Sequence, residues 1–157
     1  MKIVVIIPAR YGSTRFVGKP LELLEGKPMI QQVYERVNLP SIVKDIVVAT
    51  DDQRILDVVN GFGGNAIMTS KENRTGTDRV AEAAKKMGLN LNDIVVNIQG
   101  DQPKTHPQHL IDVVSPFRTD QGIEMSTLAF KIVKKDEITN PKDCKVTFDS
   151  RGYALYF

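Results

Sequence analysis

The 157-residue sequence has little of several residue types, and each shortage excludes a class of protein. Its one cysteine, Cys144, cannot form an internal disulfide and cannot supply a cysteine-rich metal site. No apolar run approaches the ~20 residues that a membrane helix needs, and the N-terminus reads as a strand and not as a signal peptide. We therefore expect a cytoplasmic protein without a membrane partner.

Acidic residues are missing from the first twenty positions, which carry the cations Lys2, Arg10, Arg15 and Lys19. The net charge of the chain is only +2, so the positive charge is concentrated in one segment and does not cover a face. This distribution argues against broad binding to nucleic acid. It indicates instead a local site for an anion.

Strand and helix patterns alternate over the first two-thirds of the chain, and the hydrophobic content of 41% can form a real core. Apolar runs predict strands at 3–7, 46–50, 66–68 and 94–98, and i, i+3, i+4, i+7 spacing predicts helices within 28–37, 55–62, 77–88 and 110–117. Thr77 is the expected N-cap of the third helix, and Gly88 its C-terminal stop. This alternation predicts an α/β fold with a doubly wound, mostly parallel sheet.

The pattern changes near residue 125, where strands are predicted at 125–133 and 145–148 and a hairpin at the end of the chain. We thus expect a β-rich C-terminal segment within one domain of residues 1–157. The apolar, aromatic run at 152–157 stops inside a strand pattern, whereas natural termini are usually polar. We therefore expect the domain to be truncated at its C-terminus.

Residues 10–19 form a glycine-containing basic loop directly after the first predicted strand. Arg10, Ser13, Arg15 and Lys19 can neutralise a triphosphate, since backbone N–H groups and oriented cations bind phosphate well. The loop is not a P-loop, because Pro20 occupies the Ser/Thr position that would hold Mg²⁺. The alternative is an ordinary solvated basic loop.

Two further polar clusters lie where ligands bind in open α/β sheets, outside the carboxyl ends of strands. In the first, Gln99 carries the donor and acceptor needed to read a base edge, and Asp101 is a hard ligand suited to Mg²⁺. Gly100 between them permits close backbone approach to a ligand. The second cluster, residues 73–79, suits recognition of hydroxyls or of a carboxylate, although helix capping by Asp78 explains part of it.

These segments, taken together, resemble the 3-deoxy-manno-octulosonate cytidylyltransferases (CMP-Kdo synthetases). The resemblance covers the whole chain, and its motifs occur in order at 8–15, 18–20, 26–30, 48–52, 75–79, 97–101, 125–129, 140–141 and 152–157. The first motif is shared loosely with other sugar nucleotidyltransferases, whereas the full set is much more specific.

The resemblance implies a nucleotidyltransferase that uses CTP and Kdo for lipopolysaccharide synthesis, with Mg²⁺ as cofactor and a homodimer as the full-length form. The anomeric hydroxyl of Kdo would attack the α-phosphate of CTP and release pyrophosphate. The implied catalytic residues are Arg10, Lys19 and Asp101, with Asp101 as the metal ligand. The implied substrate-binding residues are Ala9, Ser13, Arg15, Thr75, Thr77, Asp78, Arg79 and Gln99.

Some positions depart from the family pattern, and they leave alternatives open. Phe16 and Val17 replace Leu-Pro, and Gln102 replaces an acid after Asp101, which removes one negative charge beside the metal. The substrate carboxylate needs a cation, for which Arg74 or Arg79 is the candidate. The alternatives are a nucleotidyltransferase for another sugar acid and an inactive CTP-binding fragment.

Overall fold

A computed structural model describes residues 1–12, 16–120 and 122–157. Its strands are β1 Ile3–Ala9, β2 Leu23–Leu24, β3 Lys27–Pro28, β4 Asp45–Thr50, β5 Ala66–Met68, β6 Ile94–Asn97, β7 Thr147–Phe148 and β8 Ala154–Tyr156. Its α-helices are α1 Met29–Val37, α2 Gln53–Gly61, α3 Gly76–Lys86, α4 Pro107–Val114, α5 Pro116–Thr119 and α6 Lys135–Thr139, and a 3-10 turn covers Lys19–Leu21.

The central sheet has four parallel strands in the order β5-β4-β1-β6. All seven residues of β1 are buried, because this strand lies inside the sheet and has helices on both of its faces. A continuous apolar run is typical of such a strand. The sheet therefore confirms the predicted parallel α/β fold.

Helices cover the two faces of the sheet unequally. On one face α1, α2 and α4 pack against alternate residues of β1 such as Val5 and Ile7. On the other face Val80 and Ala83 of α3 pack against Val4 and Ile6. The strands are parallel, so the polar loops that follow β1, β4 and β6 lie at one edge of the sheet.

Two compact units divide the chain, Met1–Glu124 and Met125–Phe157. The four-stranded sheet and its helices belong to the first unit. The single domain of residues 1–157, truncated at its C-terminus, stays a prediction. No helix in the described part of the chain is long and apolar enough to cross a membrane.

The predicted β-rich character of residues 125–157 is present only in part. Residues 125–133 form no strand, α6 follows them, and only the terminal hairpin of β7 and β8 is present, as predicted. An extended apolar segment becomes a strand only when another strand pairs with it, and no strand of this unit pairs with residues 125–133.

The predicted cap of α3 is also wrong, because Thr75 and not Thr77 is its N-cap. The Thr75 hydroxyl accepts a hydrogen bond from the Asp78 N–H, and the Asp78 carboxylate accepts one from the Thr75 N–H. This reciprocal pair is a capping box, which the spacing of Thr75 and Asp78 indicates in the sequence.

Candidate active site

The candidate site lies at the carboxyl ends of β1, β4 and β6, which are adjacent strands of one parallel sheet. β1 ends at the buried Ala9 and is followed by the exposed Arg10, while the exposed Gln99 and Asp101 follow β6. Residues more than eighty positions apart in the sequence are thus brought to one edge, as predicted for ligand sites of open α/β sheets.

An ion pair joins two of the predicted catalytic residues across this edge. Lys19 Nζ lies 2.8 Å from Asp101 Oδ2, and both side chains are partly exposed, at 38% and 52%. Lys19 opens a 3-10 turn after Gly18, whose φ of 76° is in the left-handed region that glycine tolerates. The loop after β1 and the loop after β6 are therefore in direct contact.

The backbone of the basic loop is closed at its base by Tyr11 and Gly18. The Gly18 N–H donates to the Tyr11 carbonyl at 2.9 Å. Arg54 of α2 stacks on the Tyr11 ring, with Cζ 3.3 Å from the ring centroid. Asp52 holds the Arg54 guanidinium with both carboxylate oxygens, and these hydrogen bonds hold the pKa of the Asp52 carboxyl below its ordinary value.

Gly100 permits a close approach of the loop after β6 to β1. A Cβ added at this position would lie 3.0 Å from the carbonyl oxygen of Pro8 in β1. Such a contact is tighter than most Cβ contacts, so a larger residue would require the β6 loop or the end of β1 to shift by a few tenths of an ångström. Gly100 therefore keeps Gln99 and Asp101 close to the end of β1.

A cavity of about 180 Å³ opens between the end of β1, the residue after β6 and the segment that leads into α3. Its lining residues are Pro8, Ala9, Arg10, Asn73, Arg74, Thr75, Gly76, Arg79 and Gln99. Three arginines and no carboxylate are found among these residues, and the two exposed ones, Arg10 and Arg74, give the lining an attraction for anions. This volume is below the ~300–1,000 Å³ of drug-sized sites. The cavity can therefore hold only part of a nucleotide.

Arg79 has two internal acceptors and is almost fully buried, at 3% exposure. One terminal nitrogen donates to Asp51 Oδ2 at 2.7 Å, and the other donates to the Thr69 hydroxyl at 2.6 Å. The Thr69 hydroxyl in turn donates to the Thr50 carbonyl at the end of β4. Arg79 thus connects α3 to the ends of β4 and β5, and its charge is compensated by Asp51.

Glu82 of α3 holds the segment that carries Asn73 and Arg74. Its carboxylate accepts from the Ser70 N–H, from Asn73 Nδ2 and from Lys86 Nζ. These bonds, the one from Lys86 above all, lower the pKa of Glu82 to about 2. A single carboxylate therefore positions one wall of the cavity.

The structure brings most of the predicted site residues to one edge but gives some of them other tasks. Ala9, Arg10, Thr75, Arg79 and Gln99 line the cavity. In the described part of the chain, Thr77 and Asp78 do not line it: Thr77 is exposed in the first turn of α3, and the Asp78 carboxylate caps the helix. The predicted residues Ser13 and Arg15 lie outside the described residues.

A divalent cation at Asp101 fits the donor set. No group of three or more His, Cys, Asp or Glu side chains suited to a metal occurs in residues 1–12, 16–120 and 122–157. Mg²⁺ does not require such a group, since it binds through one or two carboxylates together with phosphates and water. The ammonium of Lys19 at 2.8 Å already places a cation beside this carboxylate.

Comparison with known proteins gives a match over nearly the whole chain, because the cytidylyltransferase family matches residues 4–157. The chain belongs to the cytidylyltransferase family. A 3-deoxy-manno-octulosonate cytidylyltransferase of Desulfosudis oleivorans is 59% identical over 157 residues, which are 100% of this chain and 63% of that protein. An 8-amino-3,8-dideoxy-manno-octulosonate cytidylyltransferase of Shewanella baltica is 51% identical over 158 residues, 100% of this chain and 64% of that protein.

A solved structure supports the same assignment of fold. The CMP:2-keto-3-deoxy-manno-octonic acid synthetase complexed with CTP matches with a TM-score of 0.88 and 38% identity, over 99% of this chain and 63% of that chain. The cytidylyltransferase fold is thus present in this chain. The chain spans less than two-thirds of the length of the relatives that it matches.

Sequence reasoning missed several residues that shape the site. Tyr11 and Arg54 close the basic loop, and Asp51 pairs with Arg79. Contacts such as these join separate elements, so no local pattern indicates them. The signal in the sequence was Gly18, because a glycine within a loop often marks a turn that needs a positive φ.

Proposed function

We propose that this cytidylyltransferase chain serves the transfer of CMP from CTP to 3-deoxy-D-manno-octulosonate, with release of pyrophosphate, for lipopolysaccharide synthesis. The observation that carries this proposal is the meeting of Arg10, Lys19, Gln99 and Asp101 at one edge of the sheet. The match to octulosonate cytidylyltransferases along the whole chain supports the choice of substrates.

The chemistry requires little from the protein beyond charge and alignment. The anomeric hydroxyl of the sugar attacks the α-phosphorus and loses its proton to water, while the bond from that phosphorus to the α,β-bridging oxygen breaks and pyrophosphate leaves. Arg10 and Lys19 neutralise the charge on the phosphates, and Gln99 and the cavity wall hold the base and ribose. Mg²⁺ bound at Asp101 would supply further charge neutralisation and a template for the phosphates.

The sugar acid carries a carboxylate of its own, for which the cavity offers Arg74. Arg74 is exposed and lines the cavity, whereas Arg79 is buried and paired with Asp51. We therefore assign the carboxylate to Arg74 in this proposal. The homodimer and the cytoplasmic location remain part of the same proposal, the location because of the single cysteine.

Pyrophosphate release and CTP binding, measured separately on the same preparation, test this proposal. We expect release that depends on CTP, Mg²⁺ and 3-deoxy-D-manno-octulosonate, and a large loss in Arg10→Ala and Asp101→Asn. The 8-amino octulosonate is the second sugar of the panel, because some of the relatives are named for it. Faster release with that sugar than with the unsubstituted one would overturn the choice of substrate.

Binding of CTP without release for any sugar would favour the inactive CTP-binding fragment. Absence of both binding and release would reject the proposal altogether. Lys44→Gln is the control, since Lys44 is exposed and lies at the opposite end of the sheet, just before β4. It should bind CTP and release pyrophosphate like the unmodified chain.

A further inference from the structure

The ion pair between Lys19 and Asp101 joins two residues that need different partners in a nucleotide complex. Under the proposed function, Lys19 binds phosphate and Asp101 binds a divalent cation, yet here Lys19 Nζ lies 2.8 Å from Asp101 Oδ2. An ammonium at this distance occupies the approach to Oδ2, because a Mg²⁺ ligand oxygen must lie at about 2.0–2.1 Å from the ion, and its charge repels a second cation from the rest of the carboxylate. The pair and the metal therefore compete for Asp101.

We propose that Lys19 and Asp101 form an exchangeable latch that keeps divalent cations off Asp101 until a polyphosphate arrives. When the phosphates of the nucleotide reach the basic loop, Lys19 leaves Asp101 for phosphate oxygens. The carboxylate then becomes available to the cation that accompanies the nucleotide. This inference rests on the proposed function, and it adds an order of events to it.

The energetics of the pair suit an exchange. Both side chains are partly exposed, at 38% and 52%, and exposed ion pairs contribute little to stability. Such a pair holds off a competing cation by only about two- to fivefold. A triphosphate carries several negative charges and competes well for a single ammonium against one carboxylate.

The local structure allows the exchange without backbone movement. Lys19 lies in the 3-10 turn fixed by the left-handed Gly18, and the hydrogen bond from Gly18 to Tyr11 closes that turn. Asp101 follows Gly100, which is held against the Pro8 carbonyl of β1. Lysine has a flexible four-carbon stem, so a change of side-chain rotamer is enough to move the ammonium.

A first experiment measures Mn²⁺ binding without nucleotide, by paramagnetic broadening of the backbone amide signals of Asp101 and its neighbours. We expect Lys19→Gln to bind Mn²⁺ at this position about two- to fivefold more tightly than the unmodified chain. Asp101→Asn should lose the local broadening. Lys27→Gln is the matched control, because Lys27 forms an ion pair of 2.7 Å and similar exposure with Glu35 and not with Asp101.

Equal Mn²⁺ affinity in Lys19→Gln and Lys27→Gln would overturn the latch. Removal of Lys19 would then change the affinity no more than removal of one positive charge elsewhere. This arm contains no nucleotide, so its result does not depend on whether CTP binds. A failure of the proposed function and a failure of the latch are thereby distinguishable.

A second experiment measures CTP binding in metal-free buffer. Asp101→Asn should bind CTP about two- to fivefold more tightly, since Lys19 is then no longer held by a carboxylate. In the Lys19→Gln background, the same Asp101→Asn change should have a clearly smaller effect, and the difference gives the coupling between the two residues. If Asp101→Asn tightened CTP binding equally in both backgrounds, the cause would be repulsion between Asp101 and the phosphates alone, and the exchange would be rejected.

Discussion

Arg79 shows, at the scale of one residue, that a side chain suited to bind an anionic substrate can be bound within the protein instead. Its two terminal nitrogens donate to Asp51 and to Thr69, and its side chain is 4% exposed. Removing one partner of a buried ion pair leaves an uncompensated charge and costs far more than the pair contributes. The first consequence of a change at Asp51 or Arg79 is therefore a loss of stability.

We predict that Asp51→Asn lowers the free energy of unfolding by about 3 kcal/mol, because it leaves the buried Arg79 guanidinium without its counter-ion. Chemical denaturation followed by circular dichroism measures this change. Arg151→Met is the matched control, since Arg151 pairs with Asp149 at 3.0 Å but is 77% exposed, and it should cost less than about 1 kcal/mol. Similar losses in both variants would contradict the assigned role of Arg79.

At the scale of secondary structure elements, the sequence predicted helices and strands best where a regular spacing of apolar residues continues over the whole element. The strands β1, β4, β5 and β6 and the helices α1 to α4 were predicted, because their apolar spacing reflects the core that they share. The strand predicted at 125–133 failed, since pairing depends on residues elsewhere in the chain. The positions of Arg10, Gln99 and Asp101 at one edge were predictable, whereas the pairing of Arg79 with Asp51 was not.

The contribution of Glu82 to stability should depend on pH, because its carboxylate holds the segment before α3. Its folded-state pKa is lowered from 4.5 to about 2, mainly by the hydrogen bond from Lys86 and also by bonds from Asn73 and Ser70. A lowered pKa means that the contribution of Glu82 to stability is fully present above its unfolded-state pKa. This contribution is lost as the pH falls from about 4.5 through about 2.

We predict that Glu82→Gln lowers the melting temperature above about pH 4.5 and that the difference from the unmodified chain disappears near pH 2. Thermal unfolding at a series of pH values measures this difference. Glu72→Gln is the control, because Glu72 is an exposed glutamate in the same segment, and its difference should not vary in this way. A pH-independent difference for Glu82→Gln would show that its carboxylate does not hold the segment.

At the scale of the whole molecule, the two units differ in where their apolar side chains lie. The unit Met1–Glu124 buries two apolar clusters, one on each face of the sheet. In the unit Met125–Phe157 no residue is buried, and Met125, Val133 and Leu155 are 82%, 75% and 69% exposed. A short unit that buries no apolar core does not offset the entropy cost of ordering its chain. Many exposed apolar side chains close together are typical of interaction surfaces.

We predict that the exposed apolar side chains of this unit mediate self-association of this chain. Sedimentation velocity over a range of protein concentrations should show a concentration-dependent dimer, and the triple variant Met125→Ser, Val133→Ser and Leu155→Ser should weaken it. Leu91→Ser is the matched control, because Leu91 is fully exposed in the first unit and should leave the dimer unchanged. A monomer at every concentration, or equal association in both variants, would contradict this prediction. The serine substitutions should weaken the dimer because the energy of an interface comes from the apolar area that it removes from water.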